Sequence, residues 1–139
     1  MQQTDNMEAK QATERKLLVV DDNPAMLETA KAMFADGNWQ CLTRQDSVSG
    51  LCAIVEHHPE AVLIDSEAAP LDAWKFTMLV KEHAQYCRLK VIVVSREDTV
   101  LIRAKAQAAC ADALLVKPFS AEEVKAVLGP DKTRSGMAA

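Results

Sequence analysis

Three observations predict an α/β fold built on a parallel sheet. Strand-like apolar runs alternate with amphipathic helical segments five times along the chain. Four of the runs are continuously apolar, as strands covered on both faces must be. Each of those four then stops on a charged or hydroxyl residue. Leu17-Leu18-Val19-Val20 runs into Asp21-Asp22, Ala61-Val62-Leu63-Ile64 into Asp65, Val91-Ile92-Val93-Val94 into Ser95, and Ala113-Leu114-Leu115-Val116 into Lys117. In open sheets of this kind, joined by right-handed crossovers, ligands bind outside the carboxyl ends of the strands. The architecture therefore predicts that Asp21, Asp22, Asp65, Ser95 and Lys117 converge.

The elements follow in order. Residues 1–15 carry no clear period and are expected to be flexible. The first strand is 16–20. Asn23-Pro24 supplies an N-cap and a proline at the first helical position, and Met26, Leu27, Ala30, Met33 and Phe34 keep helical spacing over 24–35. Asp36-Gly37-Asn38 turns the chain into a short second strand, 39–43. Asp46 or Ser47 caps a second helix with Val48, Leu51, Cys52 and Val55 on its apolar face, ending at His57-His58-Pro59. Adjacent histidines point about 100° apart on a helix, so this pair reads as a solvated helix end and not as metal ligands. The third strand is 61–65, and a loop turned by Pro70 leads to a third helix over 72–84. The fourth strand is 90–95, with Asp98 or Thr99 capping the fourth helix. The fifth strand is 113–116, and Ser120-x-x-Glu123 is a capping box for a fifth helix that stops at Gly129-Pro130. Residues 130–139 read as a tail, leaving 16–129 as the folded domain.

Composition narrows the function classes. One domain of this size buries roughly 68–70% of the surface its unfolded chain exposes, so 139 residues need no staple. A formal charge of −4 offers no reason to expect direct nucleic-acid binding. No apolar run approaches the length of about 18 residues needed to span a membrane, and the polar start lacks a signal-peptide core. Cys41, Cys52, Cys87 and Cys110 form no C-x-x-C pair and read as small buried hydrophobes in a reducing, cytoplasmic setting. None of the four glycines makes a dinucleotide or P-loop pattern, and no G-x-S-x-G is present.

The chemistry of the converging set is specific. Three carboxylates in one crevice repel, and a divalent cation relieves them; oxygen ligands with retained waters suit Mg²⁺. A lysine opposite adds a point contact to phosphate, and a serine adds one hydrogen bond. Phosphoryl transfer needs this combination. Asp65, alone at the end of the central strand, is the expected nucleophile, and the Asp21-Asp22 doublet the metal holder.

Val20-Asp21-Asp22-Asn23, Leu63-Ile64-Asp65, Val94-Ser95 and Val116-Lys117-Pro118-Phe119, in this order and each after a strand, resemble the receiver domain of two-component response regulators. The likeness spans about residues 16–128. It implies a flavodoxin-like five-stranded parallel sheet in the order 2-1-3-4-5 with helices on both faces. It also implies that Asp65 is the phosphoacceptor, Asp22 a direct Mg²⁺ ligand, Asp21 a ligand mostly through water, and the Glu67 backbone carbonyl a further ligand. Ser95 becomes the switch hydroxyl and Lys117 the phosphoryl contact. The implied partners are a sensor histidine kinase or phosphotransfer protein, and a target docked on the face of the fourth helix, fifth strand and fifth helix; a homodimer is left open. Apart from its own aspartyl phosphorylation and dephosphorylation, such a protein is not an enzyme. His58-Pro59, Leu71-Asp72 and Lys117-Pro118-Phe119-Ser120 are similar to one-domain regulators of chemotaxis-like systems, including those that drive pilus-based twitching.

The sequence departs from the family pattern in several places. Leu114 occupies the position of the usual switch aromatic. Proline comes one residue late after the acceptor, in Ser66-Glu67-Ala68-Ala69-Pro70, and Ala73 replaces a glycine. Arg96 follows the switch hydroxyl where a small residue is usual, and Cys110 stands where a glycine usually precedes the fifth strand. Arg96 is expected to pair with Glu67 as a lid over Asp65. These departures support an alternative, a phosphorylation-impaired receiver acting as a constitutive binding module. A phosphatase with an aspartyl nucleophile is disfavoured, because the two acids after the first strand are adjacent and not spaced as Asp-x-Asp.

Overall fold

The computed structural model describes residues 15–35 and 37–130. Five strands and five helices alternate: β1 Arg15–Val20, α1 Pro24–Met33, β2 Trp39–Arg44, α2 Ser47–His57, β3 Ala61–Asp65, α3 Ala73–Glu82, β4 Lys90–Ser95, α4 Val100–Ala108, β5 Ala113–Val116 and α5 Ala121–Leu128. All pairings are parallel, in the order β2-β1-β3-β4-β5. The expected flexible segment and tail lie outside the described residues, apart from Arg15, which opens β1, and Pro130; Asp36 of the expected turn lies outside them too. No helix among the described residues is long and apolar enough to cross a membrane.

The continuous apolar runs are explained by the two layers they face. Leu17, Val19, Leu63, Ile92 and Val94 pack against Leu27, Ala30 and Phe34 of α1 and Val124 and Leu128 of α5. Their neighbours Leu18, Val20, Val62, Ile64, Val91 and Val93 pack against Ala53 and Ile54 of α2 and Ala73, Phe76 and Val80 of α3. Successive side chains of a strand point to opposite faces, so a central strand with a core on each side has no polar position to spare. Burying such a side chain contributes about 1.5–3 kcal/mol relative to exposure.

Helix starts are set by side-chain caps. Asn23, Asp46, Asp72 and Thr99 accept from Ala25, Ser49, Lys75 and Ile102 backbone N–H groups, and Ser120 with Glu123 forms the full capping box. Each cap contributes about 1 kcal/mol. Of the two open choices, Asp46 and Thr99 do the capping. Ser47 is buried and clamps the loop after β3 instead, accepting from Leu71 N at 2.9 Å while its own N–H donates to Ala69 O at 3.1 Å. Asp98 is held by Arg103 at 2.5 and 2.7 Å. The peptide bonds before Pro70 and Pro118 are cis. Two helices are shorter than their periodicity predicts, because Phe34 and His83 close them early.

The cysteines correct one expectation. All four are free, and only Cys41 is half-buried; Cys52, Cys87 and Cys110 are exposed. Cys52 is exposed on α2 along with Val48 and Val55, which corrects the apolar face expected there: Ser47, Gly50, Ala53 and Ile54 are the residues this helix buries. Cys110 sits in the turn before β5 at φ 66°. Burial pushes the Cys41 thiol up to about 11 despite nearby Lys31, so it behaves as a packing residue.

Candidate functional site: an acidic cluster at the strand ends

Register brings the site together. Val20 pairs with Ile64, Asp65 with Val94, and Ser95 with Val116, so the residues that end or directly follow β1, β3, β4 and β5 emerge at one level. Asp21, Asp65 and Ser95 are buried there, at 4%, 8% and 2% exposure, while Asp22 stands out in solvent.

Lys117 bridges two of the acids. Its Nζ lies 3.0 Å from Asp21 Oδ2 and 3.2 Å from Asp65 Oδ1. Asp21 Oδ1 accepts from the Asn23 backbone N–H at 2.9 Å, so the residue that caps α1 also fixes the first acid. Ser95 Oγ accepts from Glu97 N at 3.1 Å, a local turn that ties the hydroxyl to the loop after β4. Val20, Leu63, Val94, Met26 and Phe119 wall the narrow cleft beside Asp21, Asp65 and Lys117. Met26 reads only as part of the helical spacing of α1 and Phe119 only as part of the Lys117-Pro118-Phe119 motif; the packing of both segments against the strand ends places them beside the acids.

The electrostatics are unbalanced. Asp21, Asp22 and Asp65 each present a carboxylate oxygen within 4.8 Å of the others. Two such charges repel by about 3 kcal/mol at an effective dielectric of about 20. One ammonium faces three carboxylates, so two formal negative charges go uncompensated. Burial raises the Asp65 pKa above its ordinary value; Lys117 opposes this, and the charges of Asp21 and Glu67 add to it. Burial also works against the Lys117 ammonium, but its bonds to Asp21 and Asp65 outweigh that and leave its pKa raised. An all-oxygen set with a charge deficit of two fits a hard divalent cation such as Mg²⁺. Among the described residues this is the one group of acids, histidines and cysteines with metal-ligand spacing.

Two expected features turn out differently or take a specific form. Glu67 and Arg96 are both exposed and no ion pair joins them. Arg96 instead lines a groove of about 300 Å³ with Met26, Met33, Lys117, Pro118 and Phe119. The lid is therefore absent from this arrangement, because an ion pair between two solvated side chains gains too little to hold them together. Leu114 is half-buried against the core on the α2 and α3 side, level with Val93, and carries no polar group toward the site.

Comparison with known proteins agrees with this geometry. The response regulator receiver domain family matches residues 17–129. Protein PilG of Pseudomonas aeruginosa is 28% identical over 109 residues, covering 78% of this chain and 81% of PilG. The response regulator MprA of a Mycobacterium species is 30% identical over 111 residues, but the match spans only 47% of MprA. The solved structure of the chemotaxis response regulator CheY4 of Vibrio cholerae superposes with a TM-score of 0.76 at 22% identity, covering 84% of this chain and 97% of that one. With the sheet order, the acidic cluster and a family match over nearly the entire described region, the chain belongs to the response regulator receiver domains of two-component systems.

Proposed function

We propose that this chain is a phosphorylation-dependent receiver whose acceptor is Asp65, with residues 16–129 as the working domain. The observation that carries the reading is Asp65 held beside Asp21, Asp22 and Lys117 in one cleft. An Asp65 carboxylate oxygen attacks the phosphorus of a phosphohistidine on a sensor kinase or phosphotransfer protein. The P–N bond breaks, the imidazole leaves with its electron pair, and an acyl phosphate remains on Asp65. Asp21, Asp22, Asp65 and the Glu67 backbone carbonyl would hold Mg²⁺, which when bound neutralises charge on the phosphoryl oxygens. Lys117 transfers its contact from Asp65 to a phosphoryl oxygen. Ser95 rotates its hydroxyl from accepting at Glu97 N to donating to another.

The signal leaves through the loop after Ser95. A phosphoryl group adds about −1.5 to −2 charges, and drawing Ser95 toward it pulls residues 96–99 and the start of α4. With Leu114 in place of an aromatic, no side-chain hydroxyl on β5 shares in this movement, so the readout rests on the loop and α4. Val100 and Leu101, 85% and 63% exposed at the start of α4, suit a target-docking surface formed with β5 and α5.

Incubation with acetyl phosphate and Mg²⁺ should add one phosphoryl group, and Asp65→Asn should abolish it. Beryllofluoride should shift amide resonances of residues 95–104 only when Mg²⁺ is present. The constitutive binding module, which Leu114 favours, predicts neither effect, and their joint absence would replace the phosphorylation reading with it.

A further inference from the structure

The solvent face of α3 carries a stripe that is complementary to itself. Leu71, just before the helix, and Lys75, Met78, Leu79 and Glu82 fall at i, i+4, i+7, i+8 and i+11 and line a shallow groove of about 210 Å³. The opposite face, with Ala73, Phe76, Thr77 and Val80, is buried in the core. Met78 and Leu79 are 43% and 51% exposed, a large apolar pair that the fold leaves uncovered. Lys75 and Glu82 flank them, both exposed and with no ion pair from either side chain among the described residues.

The order cation, apolar, apolar, anion has its midpoint between Met78 and Leu79. Reversing the direction of the helix about that point exchanges Lys75 with Glu82 and Met78 with Leu79. Two copies of α3 laid antiparallel across a two-fold axis there meet cation to anion at both ends and apolar to apolar in the centre. The two charged positions lie about 10.5 Å apart along the axis, so neither end pair competes with the other. A parallel pairing would set like charges against each other.

We infer that α3 is a self-association face whose occupant is a second copy of this chain, paired antiparallel and centred on Met78 and Leu79. A single pair of short helices buries less than the roughly 1,200 Å² of a stable interface. Association is therefore weak and depends on concentration, and it leaves Val100 and Leu101 on α4 free. α2, on the same side of the sheet, also leaves Val48 and Val55 exposed.

Sedimentation velocity on the full chain over a range of loading concentrations tests this. The weight-average mass should climb toward twice the monomer value. Leu79→Asp should abolish the rise with the melting temperature nearly unchanged. Lys75→Glu alone, which places two acids at each end, should weaken association by about tenfold, equal to about 1.4 kcal/mol. The double exchange K75E with E82K recreates the complementarity and should restore it. A chain that stays monomeric at every concentration would overturn the inference. So would a dimer broken by Leu101→Asp and not by Leu79→Asp, or a double exchange no better than the single change. None of these outcomes depends on phosphorylation.

Discussion

At Asp65 the burial that shelters a carboxylate also resists its ionisation. Its pKa is raised in the folded state, so the native protein holds that proton more tightly than the unfolded chain does. Stability from this group therefore falls as pH rises through the interval between the ordinary aspartate value and the raised one, and stays lowered at neutral pH. Asp65→Asn should raise the melting temperature at pH 7, and the gain should shrink on acidification toward the ordinary aspartate pKa. A variant that melts below the parent at pH 7 would contradict the assignment of strain to this carboxylate. At Lys117 the fold favours the charged form instead. Its raised pKa contributes stability that is complete below the ordinary lysine value and is lost only as pH climbs through the higher folded one. Lys117→Met should therefore lower the melting temperature at pH 7, because Asp21 and Asp65 lose their one bridging cation. The spacing of Asp65 and Lys117 after apolar strands was enough to pick both. The salt bridges that set their pKa values were not legible, because they depend on partners 96 and 52 positions away in the chain.

Among the elements, α2 and the turn before β5 each hold a residue whose identity the local geometry tests. Gly50 lies in α2 against β1, and a Cβ there would fall 2.8 Å from Val20 Cγ2 and 3.5 Å from Phe76. Val20 is buried and β-branched, so it has no easy way to yield. Gly50→Ala should destabilise by about 1–3 kcal/mol in chemical denaturation, although alanine is the better helix former. A stabilised variant would mean that α2 can lift off the sheet. Cys110 is the reverse case. Its φ of 66° lies in the left-handed region, which costs a residue with a Cβ about 1–2 kcal/mol. Cys110→Gly should raise stability, by up to about 1 kcal/mol after the entropy of glycine in the unfolded chain is counted. The departure from glycine there was visible in the sequence. The exposure of three of the four thiols was not: helical spacing puts Cys52 with Val48, Leu51 and Val55 on the apolar face of α2, whereas docking on the sheet buries the face of Ser47, Gly50, Ala53 and Ile54.

For the protein as one cooperative unit, the two uncompensated charges at the strand ends are a reservoir that a cation can release. Mg²⁺ at about a hundredfold over its dissociation constant should stabilise the native state by about 2.7 kcal/mol. Denaturation with and without Mg²⁺ measures this directly, and Asp22→Ala, which removes a solvent-exposed carboxylate of the cluster, should abolish most of the increment. An equal Mg²⁺ effect in the variant would place the ion elsewhere.

The strand–helix alternation, the continuous apolar runs and the polar residue that ends each of four strands were written in the chain order. They sufficed for the parallel sheet and for the end of it where Asp21, Asp22, Asp65, Ser95 and Lys117 meet, because period and burial are local properties of a strand. What only the tertiary structure decided are relations between distant segments. These include Lys117 bridging Asp21 and Asp65, Ser47 clamping the loop after β3, and Arg96 lining a groove with Met26, Met33 and Phe119 instead of pairing with Glu67. Such contacts depend on a few ångströms of docking between helices and strand ends, and no pattern within either segment encodes that distance.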